Sequence, residues 1–353
     1  MGFMIYFDNA ASAMPLKKTL EAFNKIAKEH FSNPAALHKG GIEAEKVITA
    51  ARGTILKELP KNGSFIFTSG ATESNNMAII NSVKQRGKTK TVTTTIEHPS
   101  VDNVIGTGDN TVRVFPSQII EAVDDSTALV SVTSVCGETG FIVDTKQIFA
   151  EIKKRFPACI IHVDGVQGFL KNVPLDADLI SVSAHKIGGL TGVGGLFVGD
   201  GIRLNPMLRG GGQQKGLRPG TEPTALIAAF GAAVDATVAE KPDIKPLCDR
   251  LISGLNILNL KINGRISECV PDIVNFSCGV KSEIMLHFLA EHNIYVSSGS
   301  ACSKGKKSKI LPAYGIPDKD IDTAIRISFG RQNTLDEVDT FLNVLEKGVK
   351  RWK

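Results

Sequence analysis

Several residues in this sequence have the types and neighbours that chemistry requires. Lys186 ends the run SVSAHK, where a strand gives way to a glycine-rich segment. A lysine just past a buried strand can stand at the mouth of a pocket. Burial there lowers its pKa, and a neutral amine can form an imine with a carbonyl. The plain alternative is a solvated lysine at a strand end, as most lysines are. Asp164 ends the strand-like run CIIHVD, with Gln167 one turn further on. Its carboxylate could pair with a protonated ring nitrogen, or it could cap a helix. TSGATESNN sets Ser69, Gly70, Ala71 and Thr72 between the strand FIF and a helix. Glycine lets the backbone approach an anion. The free N–H groups of a helix start, with the Thr72 hydroxyl, suit a phosphate; a capped helix without a ligand reads the same way. His98, in EHPS, follows the strand TVTTTIE. It could stack on a ring and relay protons, or be a hydrogen-bonded structural histidine.

Two more candidates stand later in the chain. Cys302, in SSGSACS, has small polar neighbours and is followed by KGKKSK. Lys304, Lys306 and Lys307 favour a thiolate there, whereas Cys278 in VNFSC reads as a core residue. An incidental cysteine in a basic, solvated loop is the other reading, and the basic run could also help dock an acidic partner. Arg326 sits on the alternating strand IRISFG. An inward-pointing arginine needs a carboxylate, and its fork takes one in two parallel hydrogen bonds. That carboxylate is either a ligand's or an internal one.

These residues need strands that end together. SFIFTSG, KTVTTTIE, TALVSVTSV, CIIHVDG, DLISVSAH and GGLFVGD read as strands, and ATESNNMAIINSVKQRG and TKQIFAEIKKRF as helices between some of them. That alternation predicts an α/β unit with a largely parallel sheet, whose ligands lie beyond the carboxyl ends of its strands. The last third changes character. VNFSC, IYVSSGS and AIRISFG read as strands, SEIMLHFLAEHN and LDEVDTFLNVLEKGVKRW as helices, which suits a smaller α+β domain. EKPDIKP marks the junction. The expected division is a large domain over residues 13–238 and a small one over 1–12 and 239–353.

Bulk properties agree with a soluble enzyme. The chain has 353 residues, 42% of them hydrophobic and 22% charged, with a formal net charge of +5. The charge is mild and mixed, so nothing points to nucleic acid. Six cysteines form no CxxC pair, which argues against a zinc ribbon, and a chain with enough core to fold without staples argues against a disulfide framework. The N-terminal MGFMIYFDNAAS lacks a basic leader and reads as a strand entering a loop, and no apolar run reaches membrane-spanning length. A cytoplasmic protein is expected.

Taken in order, YFDNAAS, SNPAALHKGG, SGATESNN, EHPS, HVDGVQ, SVSAHKIGG, GGGQQKGLRPGTEP, SSGSACS and IRISFGR resemble the cysteine desulfurases of the class V aminotransferase group, which are fold-type I pyridoxal-5′-phosphate (PLP) enzymes. The context of Cys302 is similar to that of the NifS- and IscS-type subgroup. The resemblance implies a mostly parallel seven-stranded sheet between helices, plus a smaller α+β domain that carries the Cys302 loop. It implies that Lys186 holds PLP as a Schiff base, Asp164 pairs with its ring nitrogen and Gln167 bonds its phenolic oxygen. His98 would stack on the ring and shuttle protons. Ala71 N–H, Thr72, Ser183 and His185 would hold the phosphate, with Thr221 reaching the phosphate of the neighbouring subunit in a homodimer. Arg326 would bind the carboxylate of L-cysteine, and Cys302 would accept its sulfur as a persulfide for delivery to an acceptor protein, such as one serving iron–sulfur cluster or thio-cofactor assembly. One position departs from the pattern. Gly137, in VCGETG, stands where the family carries an asparagine that contacts cofactor and substrate, and Cys136 adds a thiol beside it. A selenocysteine or cystine lyase, or an aminotransferase, on the same scaffold is therefore an alternative. A non-catalytic scaffold with a degenerate pocket is another.

Overall fold

Runs rich in β-branched and aromatic residues form the strands, and stretches with apolar residues three and four apart form the helices. The computed structural model describes residues 4–83, 87–106, 110–298 and 307–352. Its strands are β1 (Ile5–Tyr6), β2 (Gly63–Thr68), β3 (Lys90–Thr94), β4 (Thr111–Val114), β5 (Thr127–Thr133), β6 (Ile160–Asp164), β7 (Leu179–Ser183), β8 (Gly194–Gly199), β9 (Lys261–Ile262), β10 (Ile273–Ser277), β11 (Ile294–Tyr295) and β12 (Ala324–Ser328). Its helices are α1 (Lys17–Glu29), α2 (Lys39–Lys57), α3 (Ala71–Ser82), α4 (Pro99–Ile105), α5 (Ile119–Ala122), α6 (Thr145–Arg155), α7 (Thr224–Ala239), α8 (Lys245–Ile257), α9 (Ser282–Glu291), α10 (Asp318–Ile321) and α11 (Leu335–Trp352). None of these helices is long and apolar enough to cross a membrane, among the described residues.

One unit comprises Met14–Ser134 and Val143–Glu240. Its seven strands follow the order β2-β8-β7-β6-β5-β3-β4. β3, β4, β5, β6 and β7 run parallel, while β8 is antiparallel to both β2 and β7. β5, β6 and β7 are buried at every residue, as strands covered on both faces must be. Helix α3 packs across β5, β6, β7 and β8, and Met77, Ala78 and Ile79 join Leu129, Leu179 and Leu196 in one apolar cluster. α2 buries Ala44, Ile48, Ala51 and Ile55, a helical spacing, and packs with α1 against α7. Gly231 lets α7 come close to α2: a methyl group there would stand 3.0 Å from the Ala51 Cβ.

The other unit comprises Met1–Ala13, Val135–Ile142 and Lys241–Lys353. It has a three-stranded antiparallel sheet, β12-β10-β9, and the parallel pair β1-β11. Phe7, Phe276, Phe329 and Phe341 meet edge to face in its core, with ring centroids 5.3–6.4 Å apart. Among the described residues of the run IYVSSGS, the strand is Ile294–Tyr295. Val135–Ile142, which the sequence places inside the larger span, belongs to this unit for a physical reason. Its backbone polar groups find partners there: Ile142 N–H donates to Glu268 O, Val270 N–H donates to Gly140 O, and Asn275 Nδ2 donates to Glu138 O, at 2.8, 2.8 and 3.1 Å.

Candidate active site

The parallel strands of the larger unit end with the residues the sequence singles out. The β6 end carries Asp164, β7 delivers Ser183, and the single turn Ala184–Lys186 that follows carries His185 and Lys186. That turn is set by backbone bonds from Ala184 N to Val193 O (3.2 Å) and from Gly189 N to Ala184 O (2.9 Å). Beyond it, Gly188 adopts φ +80°, a conformation that leaves its carbonyl to accept from Leu16 N and Thr19 Oγ1. The N-terminal end of α1 thus pins the segment that follows the lysine.

Helix α3 begins at Ala71 behind Gly70, whose φ of +155° with ψ of 177° is a conformation that glycine alone adopts readily. The side chain of Glu73 turns back to accept from Ser69 N at 2.7 Å, which closes the loop into the helix. A methyl group on Gly70 would stand 3.9 Å from Ser183 Oγ, so the serine hydroxyl and the start of α3 face the same space. Thr72, in the first turn, is exposed. Nearby, Arg218 donates to Glu73 at 3.1 Å and Gln214 Oε1 accepts from Phe67 N at 2.9 Å. These bonds anchor the GGGQQKGLRPGTEP segment, on which Thr221 is exposed.

Asp164 is 4% exposed, and donors hold both of its carboxylate oxygens. Val166 N donates to Oδ1 at 3.1 Å, and Asn75 Nδ2 donates to Oδ2 at 2.9 Å. The same Asn75 nitrogen donates to Ser100 Oγ at 2.8 Å, and Ser100 Oγ lies 2.8 Å from His98 Nδ1. His98 caps α4, its Nδ1 accepting from Ser100 N at 3.1 Å. Burial pushes the His98 pKa down, the Asp164 charge opposes that shift, and the Lys186 charge adds to it. Burial, and then Lys186, push His185 down to about 4. His98, Asp164, His185 and Lys186 therefore share one electrostatic neighbourhood. Gln167 is buried in the turn after β6.

Three partners escaped the sequence reading. Asn75 and Ser100 carry no motif of their own; a hint lay in Asn75 falling on the buried face of α3 and in Ser100 standing two residues after a capping histidine. Glu97 is the third. It is 6% exposed, accepts from Thr94 Oγ1 and from Thr133 N (2.9 Å), and keeps Oε2 buried without a partner. Burial pushes its pKa up to about 8 against those two hydrogen bonds, with the Asp164 and Asp102 charges adding to the rise.

In the smaller unit, Arg326 lies on β12 and is 3% exposed. Its Nη2 donates to Asp8 Oδ1 at 2.6 Å and its Nη1 to the Gly137 carbonyl at 2.9 Å, while Nε is buried without a partner. Cys136, beside Gly137, is fully buried, and that burial raises its pKa. Cys302, with Lys304 and Lys306, lies outside the described residues.

The aminotransferase class-V family matches residues 5–341. A relative from Archaeoglobus fulgidus named cysteine desulfurase IscS 1 is 34% identical over 376 residues, 99% of this chain and 97% of its own length. Among solved structures, one described as a NifS-like protein matches 99% of this chain and all of its own at 29% identity, with a TM-score of 0.90. Another, SspA in complex with cysteine, matches 94% of this chain and all of its own at 28% identity, with a TM-score of 0.78. The expected fold-type I architecture, with its mostly parallel seven-stranded sheet, is the observed one. The chain belongs to the class-V aminotransferase family, whose members are generally PLP-dependent, and it has NifS- and IscS-type cysteine desulfurases among its relatives.

Proposed function

We propose that this protein is a PLP-dependent cysteine desulfurase, in which L-cysteine and the Cys302 thiol become L-alanine and a Cys302 persulfide. The observation that carries this reading is the grouping of His98, Asp164 and Lys186 at or just beyond the ends of β3, β6 and β7, with His98 and Asp164 joined through Ser100 and Asn75. The names of the Archaeoglobus relative and of the cysteine-bound SspA structure support the substrate.

The residues present fit PLP. A phosphate needs a helix start open to close approach, and Gly70 and Ser183 leave one. A pyridine nitrogen needs a carboxylate held in place, and Asp164 is fixed by two donors. Ala71 N–H, Thr72, Ser183 and His185 would hold the phosphate, Gln167 the phenolic oxygen, and Lys186 the aldehyde carbon. When bound, the cofactor supplies an aldehyde for the substrate amine and a ring that draws electrons from Cα.

The chain's own residues do the rest. Lys186 Nζ takes the proton from the substrate Cα. His98 covers the ring face and passes protons. Arg326, whose Nη atoms already hold Asp8 and the Gly137 carbonyl, binds the substrate carboxylate through its remaining N–H donors. The Cys302 thiolate attacks the substrate sulfur; the S–Cβ bond breaks, its electron pair stays on carbon, and a proton completes the methyl group of alanine. Thr221, on its exposed loop, reaches the phosphate of a second subunit in a homodimer, and the persulfide passes to an acceptor protein. A second reading, a lyase for selenocysteine or cystine or an aminotransferase, draws on Gly137, which offers no side chain beside Arg326.

Incubation with L-cysteine, PLP and a reductant tests the reading. Alanine and sulfide are expected in equal yield, and both should be lost in Cys302→Ala. Undiminished alanine formation by that variant would overturn the persulfide route. Faster turnover of selenocysteine in parallel assays would favour the second reading.

A further inference from the structure

A continuous hydrogen-bond chain joins two of the residues that the proposed function uses. It runs from His98 Nδ1 to Ser100 Oγ, from there to Asn75 Nδ2, and on to Asp164 Oδ2, with steps of 2.8, 2.8 and 2.9 Å. Ser100 and Asn75 are both buried. Elementary donor and acceptor rules fix its direction. A carboxylate only accepts, so the Asn75 group facing Asp164 is the amide nitrogen. That nitrogen also donates to Ser100 Oγ, so the serine oxygen is an acceptor there and its own proton turns towards His98 Nδ1. Ser100 N–H, which can only donate, points at the same ring nitrogen. Nδ1 therefore accepts twice, and the ring proton belongs on Nε2.

We propose that Ser100 and Asn75 are positioning residues that lock His98 as its Nε2–H tautomer and tie the imidazole to Asp164 in one rigid frame. The cost of this arrangement is visible. Turning the Asn75 amide towards Asp164 leaves its Oδ1 buried without a partner, so the orientation serves the carboxylate and the serine rather than the asparagine itself. Protonating Nδ1 requires breaking both bonds from Ser100. The relay thus keeps the ring neutral, in line with the depressed His98 pKa. A neutral imidazole can stack on a protonated pyridine without charge repulsion. The charged groups facing His98 are Asp164 from β6 and Lys186 from the turn after β7, with Glu97 preceding it and Asp102 on α4 paired to Arg113 at 2.8 Å.

The role in stacking rests on the PLP reading, but the lock itself does not, and the test separates the two. Ring 15N shifts of the histidines are recorded across pH in the full-length protein, with and without PLP; His98→Gln assigns the His98 signals. The wild-type ring should show a proton-bearing Nε2 and an accepting Nδ1. In Ser100→Ala the His98 titration midpoint should rise by roughly one pH unit, and Ser100→Thr, which keeps the hydroxyl, should restore it. A wild-type ring protonated on Nδ1, or a midpoint unmoved in Ser100→Ala, would overturn the proposal. The wild-type measurement decides even if the alanine variant fails to fold. PLP binding, followed by visible absorbance and its loss on borohydride treatment, is a separate readout. Its absence with the tautomer intact would sink the cofactor reading alone.

Discussion

Two regions of this protein bury charge in opposite ways. In the larger unit, Asp164, His98 and Lys186 stand at or beyond strand ends, where the sheet's hydrogen bonding is finished and a loop or helix begins. In the smaller unit, Arg326 sits in the middle of β12, its backbone paired with Asn275 on one side and Ser297 on the other. A strand end can leave polar atoms to a ligand. A charge in mid-strand must be neutralised from within, and Arg326 is, by Asp8 and the Gly137 carbonyl. Lys186 and Thr72, which are not buried, should therefore be replaceable with loss of chemistry and little loss of stability, and Arg326 should not.

Lys186→Ala gives the largest contrast. As the group proposed to anchor the cofactor and move the Cα proton, its loss should cut alanine formation by on the order of 10³-fold or more, and should abolish borohydride-sensitive absorbance. The denaturant midpoint should stay close to wild type, because Lys186 is only half-buried. A large drop in stability with activity retained would break the comparison outright.

Arg326→Ala should do the converse as well as weaken substrate binding. Removing one partner of a buried ion pair costs about 3–5 kcal/mol, since Asp8 is left without its cation. Equilibrium unfolding in urea measures this. Asp8→Asn in the Arg326→Ala background should recover part of the loss, and no recovery would mean that the pair does not act as a unit.

These contrasts bear on what was legible from residues alone. The strands, the helices between them and the positions of Asp164, Lys186 and Thr72 follow from local pattern: apolar runs, glycine punctuation and polar residues at strand ends. The reversal of β8 did not, because a buried strand reads alike in either direction. Nor did the attachment of Val135–Ile142 to the C-terminal unit, which depends on hydrogen bonds to residues far along the chain, Glu268, Val270 and Asn275. Arg326 was readable as a charge needing a carboxylate, but not which carboxylate. Asp8 meets it only through the pairing of Asp8 with Ser328. Asn75, Ser100 and Glu97 stayed hidden for the same reason, since the contacts Asn75–Asp164, Asn75–Ser100 and Glu97–Thr133 join separate elements.

Glu97 sharpens the contrast from inside the larger unit, as a buried carboxyl with no Lys or Arg paired to it among the described residues. Its folded pKa, about 8, lies above the ordinary carboxylate value of 4.5. Its contribution is therefore fully present below pH 4.5 and is lost as pH rises through 8. Between those limits wild-type stability should fall with a component approaching ~1.4 kcal/mol per pH unit. Glu97→Gln, which keeps the acceptor for Thr94 and Thr133 without a titrating proton, should remove that component. Urea unfolding of both proteins at pH 5 and 8 measures it, and parallel pH profiles would show that Glu97 is ionised throughout.

Thr72→Ala is the smallest expected effect and isolates the strand-end principle most cleanly. The side chain is exposed in the first turn of α3, and Gly70 and Glu73 set that turn without it. Stability should stay within about 0.5 kcal/mol of wild type. If the hydroxyl donates to a bound phosphate, its loss removes one charge-assisted hydrogen bond, worth about 1.5 kcal/mol or a little more, so PLP affinity should weaken roughly tenfold. The rate with saturating PLP should change little, because the phosphate is remote from the reacting carbon. Titration of the cofactor absorbance measures the first effect, and alanine formation at high PLP the second. An unchanged affinity would place the phosphate on Ser183, His185 and the backbone alone. A loss of stability instead would show that Thr72 belongs, like Arg326, to the internally satisfied set.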